Sequence, residues 1–231
     1  MKRLLFSFLF LAVAVTAISQ TAEEIIAKHI EAIGGAENWK KVNSVKMEGT
    51  MQVQGAEVAV TQTILHGKGS RQDISIMGMT GFSIITPEKG WNYMPFQGQA
   101  TPEAMTAEDL AESQEQLDAQ GNLIDYAAKG HTVEYLGKDE VDGTGCYKLK
   151  VNKKGGSPET MYIDTKTNYL LRSVTLRKAN GQEAEVTTNF SNYEKLSEGI
   201  VIPKSITLPF GEMIVTKVTI NGTVDEAIFK N

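Results

Sequence analysis

The chain has 231 residues, 41% hydrophobic, 22% charged and 7% aromatic, with 21 Gly, 6 Pro and a single Cys, a composition that excludes disordered, collagen-like and disulfide-framework proteins. Its net charge of −5, from 23 basic and 28 acidic residues with no basic cluster, argues against nucleic acid as a partner, because a phosphate backbone demands a concentrated positive surface. The length suits one or two average domains, and an all-β sheet or barrel spends this much chain on one core.

At the N-terminus, Lys2 and Arg3 precede the apolar run from Leu4 to Val15, and the small residues Ala17 and Ser19 follow. This is the layout of a secretory signal cut just before Gln20. The run falls short of the ~20 residues that a spanning helix needs. The expected organisation is a signal peptide over 1–19 and one domain over 20–231. Removing residues 1–19 takes Lys2 and Arg3 with it, leaving 212 of the 231 residues and moving the net charge from −5 to −7. The mature protein is expected to be soluble in the periplasm, with no transmembrane anchor. Cys146, the one cysteine, lies far from the cleavage region and cannot close an intramolecular disulfide.

The first helix starts at Thr21, an N-cap that forms a capping box with Glu24. Ile25, Ile26, Ile30 and Ile33 share one face, and Gly34-Gly35 ends the element. His29 lies beside this stripe and reads as a helix-surface histidine. From Val42 the hydrophobic period changes from helical to two. Val45 to Val53 forms a strand, Gln54-Gly55 a turn, and a second strand presents Val58, Val60 and Ile64 on one face. Further strands are expected over Arg71–Met79, Phe82–Thr86 and Trp91–Phe96, joined by connections short enough to be antiparallel.

Between Gln97 and Gly130 the pattern breaks. Thr101-Pro102-Glu103 reads as a helix start with proline at its first position, followed by a sparse apolar stripe of Met105, Leu110 and Leu117 on an acidic background. A second short helix is expected over Leu123–Ala128. An acidic run is usually a solvated face; a weakly apolar helical insertion between strands also has the character of a movable cover. Strands resume at Val133, Tyr147, Met161, Leu170, Val186, Ile200 and Ile214, with an Asn180-Gly181 hairpin signal among them. The total of about 11–12 strands exceeds what an open twisted sheet holds before curling. The predicted fold is mainly β (α+β): a single open antiparallel β-barrel with an N-terminal helix and a helical lid insertion near 101–129.

No phosphate loop, dinucleotide fingerprint, HExxH, CxxC or nucleophile elbow occurs in the mature chain, so no catalytic residue, cofactor or metal is expected. His29, His66 and His131 are widely spaced on different elements. Cys146 shares a strand face with Lys148 and Lys150 but has no local histidine base. Residues 45–96 are instead rich in methionine and aromatics. Such a surface adapts to acyl chains or to varied apolar partners, although adaptable residues also fill ordinary cores. Met47, Met51, Val58, Val60, Ile64, Ile76, Trp91, Tyr93 and Phe96 are the candidates to line a hydrophobic cavity.

The segment from Ala22 to Gly35, AEEIIAKHIEAIGG, resembles the opening of exported outer-membrane lipoprotein-sorting proteins, the superfamily of LolA/LolB-like periplasmic lipoprotein carriers. VDGTGCYKL from Val141, YIDTKTNYLL from Tyr162 and GIVIP from Gly199 extend the resemblance over nearly the whole mature chain. It implies an open antiparallel barrel that shelters acyl chains beneath helices. Lipid or lipoprotein acyl chains are then the expected ligands, in outer-membrane lipoprotein sorting. The carrier latches its lid with a strand arginine, for which Arg71 is the candidate counterpart, without a surrounding motif to carry the role over. An alternative is an envelope sensor that recognises hydrophobic segments of an exported protein partner. A hydrolytic alternative requires polar groups converging with His66 or His131 in a cleft.

Overall fold

The computed structural model describes residues 21–179 and 182–231. The expected signal peptide and the Asn180-Gly181 hairpin lie outside the described residues. Thr21 caps helix α1 (Ala22–Ala32), its Oγ1 accepting from the Glu24 amide at 3.2 Å. Gly34 and Gly35, at φ +109° and +86°, end it as predicted, with the Gly35 amide bonded to the Ile30 carbonyl at 2.8 Å. A one-turn helix, α2 (Ala36–Trp39), leads into the sheet. No helix among the described residues is long and apolar enough to cross a membrane.

Thirteen strands form the sheet: β1 (Ser44–Val53), β2 (Ala56–Leu65), β3 (Gly69–Ile76), β4 (Met79–Ile85), β5 (Gly90–Tyr93), β6 (Glu103–Ala104), β7 (Thr132–Val141), β8 (Thr144–Asn152), β9 (Glu159–Asp164), β10 (Leu170–Ala179), β11 (Gln182–Lys195), β12 (Val201–Leu208) and β13 (Gly211–Ile220). Their order is β6-β5-β4-β3-β2-β1-β13-β12-β11-β10-β9-β8-β7, antiparallel throughout, and the sheet stays open with β6 and β7 at its edges. Two meanders, β1–β6 and β7–β13, thus meet along the β1/β13 seam.

Three local expectations are corrected. The third strand ends at Ile76 and not at Met79, because Met77-Gly78 makes a two-residue turn with φ +51° and +80°, the doubly positive pattern that matches strand twist. Thr101-Pro102-Glu103 does not start a helix: Glu103 and Ala104 pair with Asn92 and Trp91 as β6. The helix begins later as α3 (Ala107–Ser113), capped by Thr106 and continued by a 3-10 turn over Gln114–Leu117. Residues 123–128 form successive turns rather than a second helix.

One face of the sheet, the inner face, carries α1 and the segment around α3. Ile25 and Ile26 of α1 pack with Leu149, Val151 and Ile163 of β8 and β9. Val42, Ala119, Ile200 and Ile220 make a central cluster, and Met51, Val58 and Val60 a third. Each fully buried aliphatic side chain of this kind contributes roughly 1.5–3 kcal/mol. Hydrogen bonds tie the cover to the sheet, from the Gly67 backbone amide to the Leu117 carbonyl at 2.9 Å and from the Gln114 side-chain Nε2 to the Thr86 carbonyl at 3.1 Å.

Candidate functional site: an apolar trough on the inner face

Strand register decides which side chains share the inner face. Val45, Met47 and Met51 of β1 stand opposite Ile64, Gln62 and Val58 of β2, and Val58 and Val60 stand opposite Ile76 and Ile74 of β3. On the other side of the seam Met47 opposes Val218 and Met51 opposes Met213. A bulge after Glu48 shifts the β1/β13 register there.

These residues enclose two adjoining cavities. The distal one, about 510 Å³, lies toward the β1–β2, β3–β4 and β12–β13 hairpins. It is lined by Met47, Met51, Val53, Val58, Val60, Gln62, Gln72, Ile74, Ile76, Phe96, Gln97, Leu208, Phe210 and Met213. The proximal one, about 420 Å³, lies beneath α1 and the cover. Its walls include His29, Met47, Ile64, Ala119, Phe190, Tyr193, Ile202, Ile206, Val218 and Ile220. Met47 lines both, so the two cavities adjoin at its side chain along the seam and are together called the trough.

Seven of the nine predicted lining residues, Met47, Met51, Val58, Val60, Ile64, Ile76 and Phe96, therefore come together in the trough. Phe96 reaches it from a 3-10 turn, in space that a Cβ on Gly81 would invade at 2.9 Å from its ring. Trp91 and Tyr93 do not line it. They pair with Ile84 and Phe82, which oppose Arg71 and Asp73, so all six belong to the outer face. There Phe82 and Tyr93 rings lie 5.6 Å apart. The C-terminal half of the lining, from Phe190 to Ile220, was not singled out in sequence, although its strands carry the same alternation.

The trough is electrostatically quiet. No charged side chain lines the distal cavity. In the proximal cavity His29 is 7% exposed rather than on the helix surface, and its Nδ1–H donates to the Asn168 carbonyl at 2.8 Å. Burial pushes its pKa below the ordinary value, against a smaller upward pull from that bond, so the ring is neutral at pH 7. Asp118 is held by Lys129 at 2.5 Å. The Tyr193 hydroxyl donates to the Leu170 carbonyl while its ring stacks on Tyr169 at 4.3 Å, and burial raises its pKa far above the normal phenol range.

No family model and no curated protein matches the sequence. Solved structures do match the fold. A DUF1329 family protein from Desulfovibrio piger aligns over 92% of this chain and 98% of its own at 14% identity, with a TM-score of 0.58. A LolA superfamily protein from Nitrosomonas europaea aligns over 92% and 99% at 11% identity, TM-score 0.57. A domain described as an outer membrane lipoprotein-sorting protein, from Vibrio parahaemolyticus, aligns over 90% and 95% at 13% identity, TM-score 0.51. The fold is LolA-like.

On this LolA-like sheet, Arg71 does not touch the cover. It sits on the outer face, bonded through Nε to Asp73 at 2.9 Å and through Nη1 to the Ile228 carbonyl at 3.0 Å, where it anchors the C-terminal 3-10 turn Glu226–Phe229. The cover is instead held by lysines. Lys153, its side chain 3% exposed, pairs with Glu115 of the cover and with Glu159 at 3.5 Å.

These pairs border a cleft of about 520 Å³ that brings His66 and His131 together, which their sequence spacing did not suggest. Each histidine accepts a backbone N–H at Nδ1, from Ala119 at 3.2 Å and Lys154 at 3.1 Å. Both rings thereby pin loops in place. The cleft gathers Glu115, Asp118, Lys129 and Lys153 with the two histidines, and Asp118 Oδ1 lies 3.4 Å from His66 Nδ1, so polar groups do converge there; its lining holds no Ser, Thr or Cys. Cys146 is fully buried, donates from Sγ to the Thr144 carbonyl at 3.3 Å, and has its pKa raised chiefly by burial. That is the environment of an inert structural thiol.

Proposed function

We propose that the protein is a periplasmic carrier that shelters the acyl chains of lipids or lipoproteins in the trough, as in outer-membrane lipoprotein sorting. The observation that carries this reading is the pairing of a charge-free distal cavity with a second apolar cavity through the shared Met47 wall. Each methylene buried there contributes roughly 0.8 kcal/mol, so a few carbons suffice for useful affinity. The role needs no catalytic group, cofactor or metal. The basic, apolar and small-residue succession over 1–19 supports export, with 20–231 as the mature domain. Resemblance in fold to lipoprotein-sorting and LolA superfamily structures supports the ligand class.

The decisive experiment is native mass spectrometry of protein purified from the periplasm, with uptake of a fluorescent fatty acid measured alongside. Co-purified lipid and saturable uptake are expected; absence of both refutes the reading. A second reading, recognition of apolar segments of exported proteins, is favoured by Met77 and Phe210, which are 83% and 61% exposed at hairpin ends beside the distal cavity. A protein partner that stays bound after delipidation would select it.

A further inference from the structure

One transverse row interrupts the apolar inner face. Gln62 of β2 opposes Gln72 of β3, Gln72 opposes Ser83 of β4, and Ser83 opposes Asn92 of β5. Four adjacent strands thus place an amide or hydroxyl at the same height, beginning next to Met47 and running toward the β6 edge. Gln62 Nε2 donates to Ser70 Oγ at 2.7 Å, leaving its carbonyl and its second N–H uncommitted to that bond. Gln72, Ser83 and Asn92 make no side-chain hydrogen bond among the described residues, and their polar atoms stay open to solvent until a ligand covers them. All four are half-buried, and Gln62 and Gln72 belong to the wall of the distal cavity.

An amide in an apolar wall costs free energy wherever its hydrogen bonds are not made, so a ligand that meets this row is favoured if it carries a matching group. The match is an uncharged one. A carboxylate in the distal cavity would find no lysine, arginine or histidine in the lining and would lose its hydration without compensation. An ester or amide carbonyl accepts from the glutamine N–H groups at far lower desolvation cost. We infer that the Gln62–Gln72–Ser83–Asn92 row selects acyl chains joined to their head through a neutral ester or amide. The carbonyl lies on the row, the hydrocarbon lies along the Met47–Met51 side, and the head leaves toward the β5–β6 edge. This deepens the carrier reading and rests on it.

The test uses two ligands with the same chain, 1-oleoylglycerol, whose ester supplies the carbonyl, and 1-O-oleylglycerol, an ether without it. Displacement of a bound uncharged, environment-sensitive dye gives both affinities. The ester is expected to bind the wild-type protein about fivefold tighter, the worth of one net hydrogen bond. Gln72→Leu and Gln62→Leu should bring the ester-to-ether ratio near one, whatever their effect on the affinity of either ligand alone. Gln72→Met serves the same purpose if leucine perturbs folding, which the melting curve reports. Equal affinities in the wild type, or an undiminished preference in folded variants, would overturn the inference while leaving the carrier reading intact. Failure to bind either ligand would refute the carrier reading itself.

Discussion

Met47→Ala and Met51→Ala should separate ligand binding from stability, although both residues lie on one face of β1. Met51 is 6% exposed and packs with Val58 and Val60. Truncating such a methionine removes transfer energy and leaves a void, at a cost of about 2–3 kcal/mol. For a chain of this size that lowers the melting temperature by about 5–10 °C. Met47 is half-buried and borders both cavities, so its truncation enlarges an existing space and costs about 1 kcal/mol of stability or less. A chain lying in the trough would lose contacts equivalent to about two methylenes, roughly 1.5 kcal/mol, or about tenfold in affinity. Thermal melts and fluorescent fatty-acid titrations on both variants measure the two quantities. If Met47→Ala melts as low as Met51→Ala while its uptake is unchanged, Met47 belongs to a closed core and the trough is not the binding site.

Three further outcomes follow from the geometry. Trp91→Ala should leave uptake within about twofold of wild type, since a lost outer-face side chain removes no trough wall; a large loss of uptake would place the ligand on the outer face. Gly34→Ala should destabilise by about 3 kcal/mol in urea titrations, because its Cβ would sit 2.2 Å from the Gly199 carbonyl oxygen at φ +109°; an unchanged midpoint would contradict the close approach of α1 to the β11–β12 turn. The lowered pKa of His29 makes the fold pH-sensitive. Below about pH 6.5 the unfolded chain takes up a proton that the buried ring resists, so stability complete above that pH is lost as pH falls. His29→Gln should therefore show a smaller drop in melting temperature between pH 7 and pH 5 than the wild type, and an equal drop would assign the sensitivity elsewhere.

Period-two alternation was enough to place most strands, and Thr21 with Gly34-Gly35 bracketed α1. It failed where local chemistry gave no cue. Ile76-Met77-Gly78-Met79 carries no polar turn residue, so the turn of the expected β3–β4 hairpin is placed after Met79 instead of at Met77-Gly78. At Thr101-Pro102-Glu103 the helix-start chemistry lost to edge pairing with β5, a tertiary contact invisible locally. The misplaced faces of Trp91 and Tyr93 have a related cause. Alternation says that neighbours point apart, whereas which of them points inward depends on register carried across β2, β3 and β4. The methionine-rich first meander also drew notice away from β11–β13, whose isoleucines and valines supply the other wall. At Asn192 the backbone passes through φ +55°, and Phe190 and Tyr193 both reach the proximal cavity, a departure from strict alternation that no pattern would have flagged.

The seam between the two meanders has a temporal meaning. Every other strand pair joins neighbours in the chain, but β1 waits for β13, the last strand in chain order. Val218 and Met213 of that strand complete the wall begun by Met47 and Met51. During synthesis the first meander can zip up early by local hairpins, yet it presents half a trough with its apolar side open. The trough is complete only when the final strand docks, so a partly synthesised chain carries one wall of it without the other.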